Sequence, residues 1–479
     1  MKQLLTMLGA SCLLASSCST LKPTTSSNKK SSPNVILIMA DDLGYGDVGF
    51  NGNKIIETPN LDALSQKGVT FTNFYAGGPV CSPTRGTCLT GRHYARYGIF
   101  HANAGHLPKE ELTIVDILKD NGYTTGHFGK WHLGTIVKGV SSKGQKRKPT
   151  LNFNPPWEQG YDDAFVTESA VSTWNPTEHK ERYHLNEYYH NGVLETENLQ
   201  GDDSRIIMDR VLPFVDKAKK DKKPFLSVIW FHAPHDPAMA GPEYKKKYAQ
   251  YSEGEQNYYG CVTALDDQVG RLVDHLKKNG QLDNTIIFFC SDNGPEGRKI
   301  TSKFPGQTGG LRGRKRSLYC GGVGVPAFVV WPGVAKAGER TGYISSTLDY
   351  LPTLVNGLKL KLKLAEGETR PLDGISLISM LKGTSTERPS PLPFMFTQKG
   401  AVIYKGLKFL TADGEIKEVY DLRKDRFETT NIYNQHPKEV EKMNTYLKAW
   451  DASCHRSQQG GDYIGDFKPV DPWKGLILK

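Results

Sequence analysis

Three apolar runs end abruptly in acids, amides or histidines, and nothing else in the chain constrains the fold so tightly. They are NVILIMADD (34–42), KPFLSVIWFHAPHD (223–236) and NTIIFFCSDNG (284–294). A short run without polar alternation reads as a strand buried on both faces, the place of a parallel strand covered by helices. TTGHFGKWHLG (124–134), FTNFYAGG (71–78) and VPAFVVWPG (325–333) read as further strands. Between the runs lie segments with helical spacing. LTIVDILKDNGY (112–123) has a glycine stop, SRIIMDRVLPFVDKAKK (204–220) is amphipathic, and NYYGCVTALDDQVGRLVDHLKKNG (257–280) is the clearest helix. This alternation predicts an α/β fold, with a large mainly parallel sheet sandwiched by helices. After PLDGISLISMLKG (371–383) the texture changes. Residues 391–422 read as short strands joined by glycine turns, and HPKEVEKMNTYLKAW (436–450) as a terminal helix. The expected organisation is a large domain over 34–385, a smaller C-terminal unit with an antiparallel sheet and one helix over 386–465, and a loose tail over 466–479. A chain of 479 residues suits one large and one small unit.

The net charge of +10 favours acidic partners. The surplus sits in runs such as KGQKRK (143–148) and KAKKDKK (217–223), which lack the interleaved aromatics of a single-strand binder, so no nucleic-acid partner is expected. Residues 1–18, MKQLLTMLGASCLLASSC, read as an export signal. Small residues directly before Cys18 resemble a bacterial lipobox, although Ala15 stands where leucine is usual. A lipidated Cys18 would attach the protein to a membrane, and cleavage without lipidation is the alternative. Residues 19–33 are Ser-, Thr-, Lys- and Pro-rich and read as a flexible tether. The expected location is the periplasm or the cell surface, with a lipid anchor in the outer membrane as one form.

Ligands of open α/β sheets bind outside the carboxyl ends of the strands. Here those ends carry Asp41 and Asp42, His232 and His235, and Asp292 with Asn293. Acids follow strands for another reason too, since they favour turns and caps. Two acidic strand ends converging would repel without a cation, and a hard oxygen donor set suits Ca²⁺ or Mg²⁺. Lys130 and His132 in GKWHLG and Lys315 in GGLRGRKRSLYCGG add cations, the groups that offset charge growing on a tetrahedral oxyanion. The eight cysteines include no C-x-x-C pair, which argues against a zinc site. In CSPTRGTCLTGR (81–92), Cys81 reads as half of a disulfide, a reactive thiol or a residue that is chemically altered. Cys88 reads as a small buried residue on the helix that follows.

The set of motifs resembles the type I, formylglycine-dependent sulfatases of the alkaline phosphatase superfamily. C-S-P-T-R-G followed by L-T-G-R is similar to their signature, with Thr84 where serine is commonest. Asp-Asp after the first strand, G-K-W-H-L-G, H-x-P-H-x-P, S-D-N-G, the lysine before Gly-Gly, L-D-G-x-S-L and Y-D-L…E-T-T-N follow in the family's order. The resemblance covers roughly residues 33 to 455. It implies that a maturation enzyme oxidises Cys81 to formylglycine (3-oxoalanine), whose hydrate is the nucleophile. One geminal hydroxyl attacks sulfur and the other expels sulfate. Pro83 and Arg85 support that conversion, and Arg85 holds the product. Asp41, Asp42, Asp292, Asn293 and the modified residue 81 bind one Ca²⁺, and Asp292 helps to deprotonate the attacking hydroxyl. Lys130 and Lys315 grip sulfate oxygens. His132 is the base of the second step, and His235 with Lys315 protonates the leaving alcohol. His232 is read as supporting or structural. One departure stands out. Cys320 and Gly324 replace the Glu and the Arg of the usual Glu-Gly-Gly-x-Arg-x-Pro.

The expected function is therefore removal of sulfate from a carbohydrate, a sulfated polysaccharide or its oligosaccharides. The alternatives are a phosphonate or phosphate ester hydrolase of the same superfamily, and a non-catalytic glycan-binding lipoprotein. Sugar contacts are expected from residues 167–190, through Trp174, Tyr183, Tyr188 and Tyr189, since aromatic faces pack on sugar rings. FHANAGH (100–106) is a second candidate for such contacts.

Overall fold

The computed structural model describes residues 32–178, 186–465 and 467–478. The predicted signal, most of the tether and Tyr183 lie outside the described residues.

The three apolar runs form the middle of one ten-stranded sheet. From edge to edge its order is Glu339–Thr341, Val69–Phe71, Ala327–Val330, Thr285–Ser291, Asn34–Ala40, Phe225–Trp230, Thr124–Lys130, Asp163–Thr167, Tyr189–His190 and Val193–Leu194. The strands from Thr285–Ser291 to Asp163–Thr167 are parallel. The sheet is thus mainly parallel, as predicted, and Ala327–Val330 runs against its neighbours. Every residue of Asn34–Ala40, Phe225–Trp230 and Thr285–Ser291 is buried, which explains their lack of alternation.

Side chains alternate across these strands. Val35, Leu37 and Met39 enter one core with Trp230 and Phe288, while Ile36, Ile38 and Ala40 enter the core on the other face. Asp203–Lys220 and Glu253–Lys278 cover that second face through Ile207, Val211, Leu265 and Val269. Each such aliphatic side chain contributes about 1.5–3 kcal/mol of hydrophobic stabilisation. Glu253–Lys278 starts at a capping box, in which Ser252 and Glu255 satisfy each other's end of the helix.

The four-stranded sheet Leu392–Phe396, Lys399–Tyr404, Leu407–Ala412 and Glu415–Asp421 is antiparallel throughout, as expected. Leu392, Phe394 and Ile403 share a core with Tyr75, Val80 and Leu311, so this sheet packs on the loops beside the helix Cys81–Thr90. The terminal helix, Pro437–Arg456, runs beyond the predicted end. The tail is less loose than its composition suggests. Trp473 stacks edge-on against Phe100 at 5.5 Å, and Leu476 N donates to Asp451 at 2.8 Å.

Two motif fragments act as fasteners. In LTGR, Arg92 is buried and donates to Glu111 at 3.0 Å, Asp462 at 2.8 Å and the Pro371 carbonyl at 3.1 Å. In LDGIS, Asp373 accepts from His93 N, from Arg96 and from Trp450 Nε1. These bonds clamp the end of the helix Cys81–Thr90 to the C-terminal part of the fold. Arg96 holds the Asp373 carboxyl well below the usual carboxylate range although burial opposes it.

Candidate active site

The quoted motif forms the helix Cys81–Thr90, every residue of which is buried. Cys81 sits at its first position and Gly91 ends it with φ 65°. The helix points Cys81 at the carboxyl ends of the central strands, where Asp41, Asp42, Asp292 and Asn293 follow the apolar runs. Ligand atoms of Asp41, Cys81 and Asp292 lie within 4.8 Å of one another, as do those of Asp41, Asp42 and His235. Asp42 N donates to Asp292 Oδ1 at 3.1 Å, and Asn293 Nδ2 donates to Asp42 Oδ1 at 2.6 Å.

Cations close the cluster. Arg85 Nη2 donates to Asp292 Oδ2 at 2.7 Å and lies over the Trp230 ring. Lys130 pairs with Asp41 at 2.6 Å and Lys315 with Asp42 at 2.7 Å. His235 Nε2 is 3.8 Å from Asp42, and its Nδ1 donates to the Asp236 carbonyl at 2.8 Å. All ten site residues read from the sequence therefore meet at one place. Above them opens a cavity of about 330 Å³ lined by Cys81, Lys130, His132, His235 and Lys315.

Backbone conformation aims some of these groups. Asp42 and His132 have φ of 65° and 59°, a left-handed state that non-glycine residues adopt at a cost. Gly129, with φ 101°, turns the chain into Lys130, and a β-carbon there would meet the Trp230 carbonyl oxygen at 2.1 Å. The first glycine of GKWHLG is thus a close-approach residue.

Burial dominates the electrostatics. It raises the Cys81 thiol pKa against the pull of Lys130 and Lys315, so this cysteine is a poor thiolate. Burial and the neighbouring Asp41 push Asp292 up to about 7 in spite of Arg85. Burial also opposes ionisation of Asp41, but Lys130, His235 and Arg85 hold its pKa well below the usual value. Burial brings His235 down to about 4 against Asp41 and Asp42, and His132 is held well below 6.5 by burial and Lys130.

Asp41 Oδ1 and Asn293 Oδ1 are buried and accept no hydrogen bond among the described residues. Orphaned oxygens beside three carboxylates fit a hard divalent cation, which takes oxygen ligands.

The Sulfatase family profile matches residues 33–358. The chain belongs to the sulfatase family. It is a sulfuric ester hydrolase, which sets aside the non-catalytic reading. It is 31% identical over 400 residues to the uncharacterized sulfatase YdeN of Escherichia coli (strain K12), covering 75% of this chain and 68% of that protein. Against human arylsulfatase A it is 32% identical over 377 residues, covering 74% and 68%. The crystal structure of Ps i-CgsB in complex with k-i-k-neocarrahexaose superposes with TM-score 0.77 at 28% identity, over 91% of this chain and 95% of that one.

The structure of this sulfatase also places the remaining residues singled out in the sequence, and His232 is structural as expected. His232 is fully buried, with Nδ1 at 2.8 Å from Asp203 and Nε2 at 2.7 Å from Thr167, so it braces the strand end and does not line the cavity. Tyr188 is not a sugar platform. It stacks on Phe165 at 4.4 Å and is 1% exposed. Trp174 packs beside Gly241. The second candidate, FHANAGH, does reach the cavity: His101, Ala102 and Asn103 line it. Asn103 Oδ1 accepts from His132 Nε2 at 2.5 Å, leaving Nδ1 of that histidine without a partner. The described cysteines are all free, so Cys81 is not half of a bridge, and Cys88 is buried in the helix as expected.

The departure at Cys320 has a structural answer. Glu428, from the ETTN stretch, accepts from Cys320 N at 2.6 Å and pairs with Lys408 at 2.9 Å. Lys408 also donates to Cys320 Sγ at 3.4 Å. A carboxylate thus stands beside residue 320 although it comes from another part of the chain. At Gly324 a β-carbon would meet the Cys320 carbonyl oxygen at 2.5 Å, so an arginine would require this turn to shift. Both ends of the Lys408–Glu428 pair are inaccessible to solvent. Lys408→Met leaves a buried carboxylate without its cation and is expected to lower stability by about 3–5 kcal/mol. Urea unfolding measures this, and Lys408→Met with Glu428→Gln should recover at least half of the loss. A single variant as stable as the wild type would show that the pair is idle.

Proposed function

We propose that this sulfatase removes sulfate from a sulfated carbohydrate, with residue 81 converted to formylglycine and a Ca²⁺ ion held beside it. One observation carries the reading: Cys81 is buried among Asp41, Asp292 and Arg85 at the floor of a cavity whose wall holds four cations, Lys130, Lys143, Lys315 and Arg316, beside Asp236 and Glu296. A raised thiol pKa suits a precursor better than a thiolate nucleophile. The likeness to a structure holding neocarrahexaose supports a carbohydrate substrate.

Asp41, Asp42, Asp292 and Asn293 would hold the ion, with the oxidised residue 81. When bound, the ion offsets the carboxylates and makes a nearby hydroxyl easier to deprotonate. The hydrated aldehyde supplies two hydroxyls on one carbon, one to attack sulfur and one to release it.

The chain's own groups divide the rest of the work. Arg85, fixed by Asp292, keeps residue 81 oriented. Lys130 and Lys315 present ammonium groups to the equatorial sulfate oxygens, where charge grows in the transition state. Asn103 holds the Nε2 proton of His132, so its bare Nδ1 is available as a base. His235 stands across the cluster with Nε2 toward Asp42 and with the Lys315 ammonium close to the same carboxylate; burial keeps this imidazole neutral, so the proton for the leaving alcohol would come from Lys315 and pass through His235 Nε2. We place the enzyme outside the cytoplasm, with Cys18 as a lipid anchor, on the pattern of residues 1–18.

Protein made together with its maturation enzyme tests the scheme. Trypsin releases residues 68–85 as one peptide, and mass measurement should find an aldehyde at position 81. Fully active protein carrying only the thiol would sink the mechanism. Paired esters of 4-nitrophenol should show sulfate hydrolysed faster than phosphate by about tenfold or more.

A further inference from the structure

The cations of the catalytic cavity are not equivalent. Lys130 is paired with Asp41, and Lys315 with Asp42. Arg316 is held bidentate by Glu296 at 2.6 and 2.9 Å. Lys143 lines the same cavity; its backbone N donates to Ser141 Oγ at 3.1 Å, but its ammonium makes no ion pair or hydrogen bond among the described residues. It belongs to a loop with Lys138, Lys146, Arg147 and Lys148, and residues 132–157 contain no acid.

Four residues on, Arg147 is 1% exposed, and none of its guanidinium nitrogens makes a hydrogen bond. Its nearest carboxylate is Glu168, at 3.5 Å. Glu168 is already engaged by Ser141 Oγ at 2.6 Å and by Ser142 Oγ at 3.2 Å. Arg147 thus has only a carboxylate already occupied by two serines, on the wall that carries Lys130 and His132. Unsatisfied buried guanidinium groups are costly, and cationic walls of this kind are complementary to anions.

We propose that the cavity contains a second anion subsite, formed by Lys143 with Arg147 behind it, and that the preferred substrate carries another sulfate or a carboxylate beside the sulfate that is removed. This rests on the carbohydrate reading above. The scissile sulfate occupies the Cys81, Lys130 and Lys315 end, and the second group meets the Lys143 ammonium. A planar guanidinium behind it strengthens the local field without touching the reacting atoms.

Competitive inhibition of 4-nitrophenyl sulfate hydrolysis tests this without requiring that each sugar be turned over. The probes are a hexosamine with one sulfate, the same sugar with two, and a disaccharide joining the monosulfated sugar to a uronate. A second charge should tighten the inhibition constant by about tenfold. The arm that gains identifies the group as sulfate or carboxylate. Lys143→Ala should erase that gain while slowing 4-nitrophenyl sulfate hydrolysis by no more than about threefold, and Lys143→Arg should restore it. Equal inhibition by singly and doubly charged sugars overturns the subsite alone. So does a Lys143→Ala variant that keeps the full gain. If no sugar inhibits, the carbohydrate reading fails and the subsite falls with it.

Discussion

Cys81→Ala is expected to abolish sulfate ester hydrolysis, lowering turnover by about 10⁴-fold or more, as removal of a nucleophile does elsewhere. The side chain is 2% exposed at the first position of its helix, and alanine fits there without strain. Loss of one buried sulfur should therefore cost only about 1 kcal/mol of stability. Substrate binding should survive, because Lys130, Lys315 and Lys143 remain in the cavity wall. Steady-state rates on 4-nitrophenyl sulfate, together with a binding isotherm for an unhydrolysed sulfated sugar, separate the two effects. A variant within tenfold of the wild-type rate would remove residue 81 from the chemistry.

The next largest effect is expected at Asp292. Asp292→Asn keeps the shape of the side chain but removes a carboxylate that pairs with Arg85 and borders Asp41 and Cys81. Activity should fall by about 10³-fold, the order seen when one preorganised electrostatic contact is lost. Calcium supplies an independent readout. An ion present at a hundred times its dissociation constant stabilises the folded state by about 2.7 kcal/mol. The wild type should therefore melt several degrees lower after treatment with a chelator and recover when Ca²⁺ is returned. Asp292→Asn should lose most of that response. A wild-type melting temperature indifferent to chelator and to Ca²⁺ would count against an ion held by Asp41, Asp42, Asp292 and Asn293.

Much of the site was legible before any coordinates because its residues follow directly on strands. An apolar run that stops in Asp-Asp or Ser-Asp-Asn-Gly announces both the strand and the polar end at which a parallel sheet binds its ligand. Asp41, Asp42, Asp292 and Asn293 needed only that rule to be placed together, and Cys81, Lys130, His132, His235 and Lys315 lie in short motifs of fixed order. Tyr188, in the aromatic stretch at 167–190, misled for a related reason. Tyr188 has the composition of a sugar platform, yet its ring closes the gap over Phe165 while its hydroxyl reaches Asp203. Nothing local separates a tyrosine that faces a ligand from one that finishes a core.

The sequence by itself determined the parallel core, the antiparallel C-terminal sheet and the sulfatase motifs, since each is written in a periodicity or a spacing of a few residues. Tertiary structure alone decided which groups those motifs meet. Asn103 reaches His132 across 29 residues, Glu428 reaches Cys320 across 108, and Arg92 reaches Asp462 across 370. It also decided that Lys130, Lys315 and Arg316 are paired while the Lys143 ammonium makes no ion pair among the described residues. These contacts carry no sequence period. They arise where the closing of long loops brings distant side chains to one buried spot, and there the cost of an unpaired charge selects its partner from anywhere in the chain.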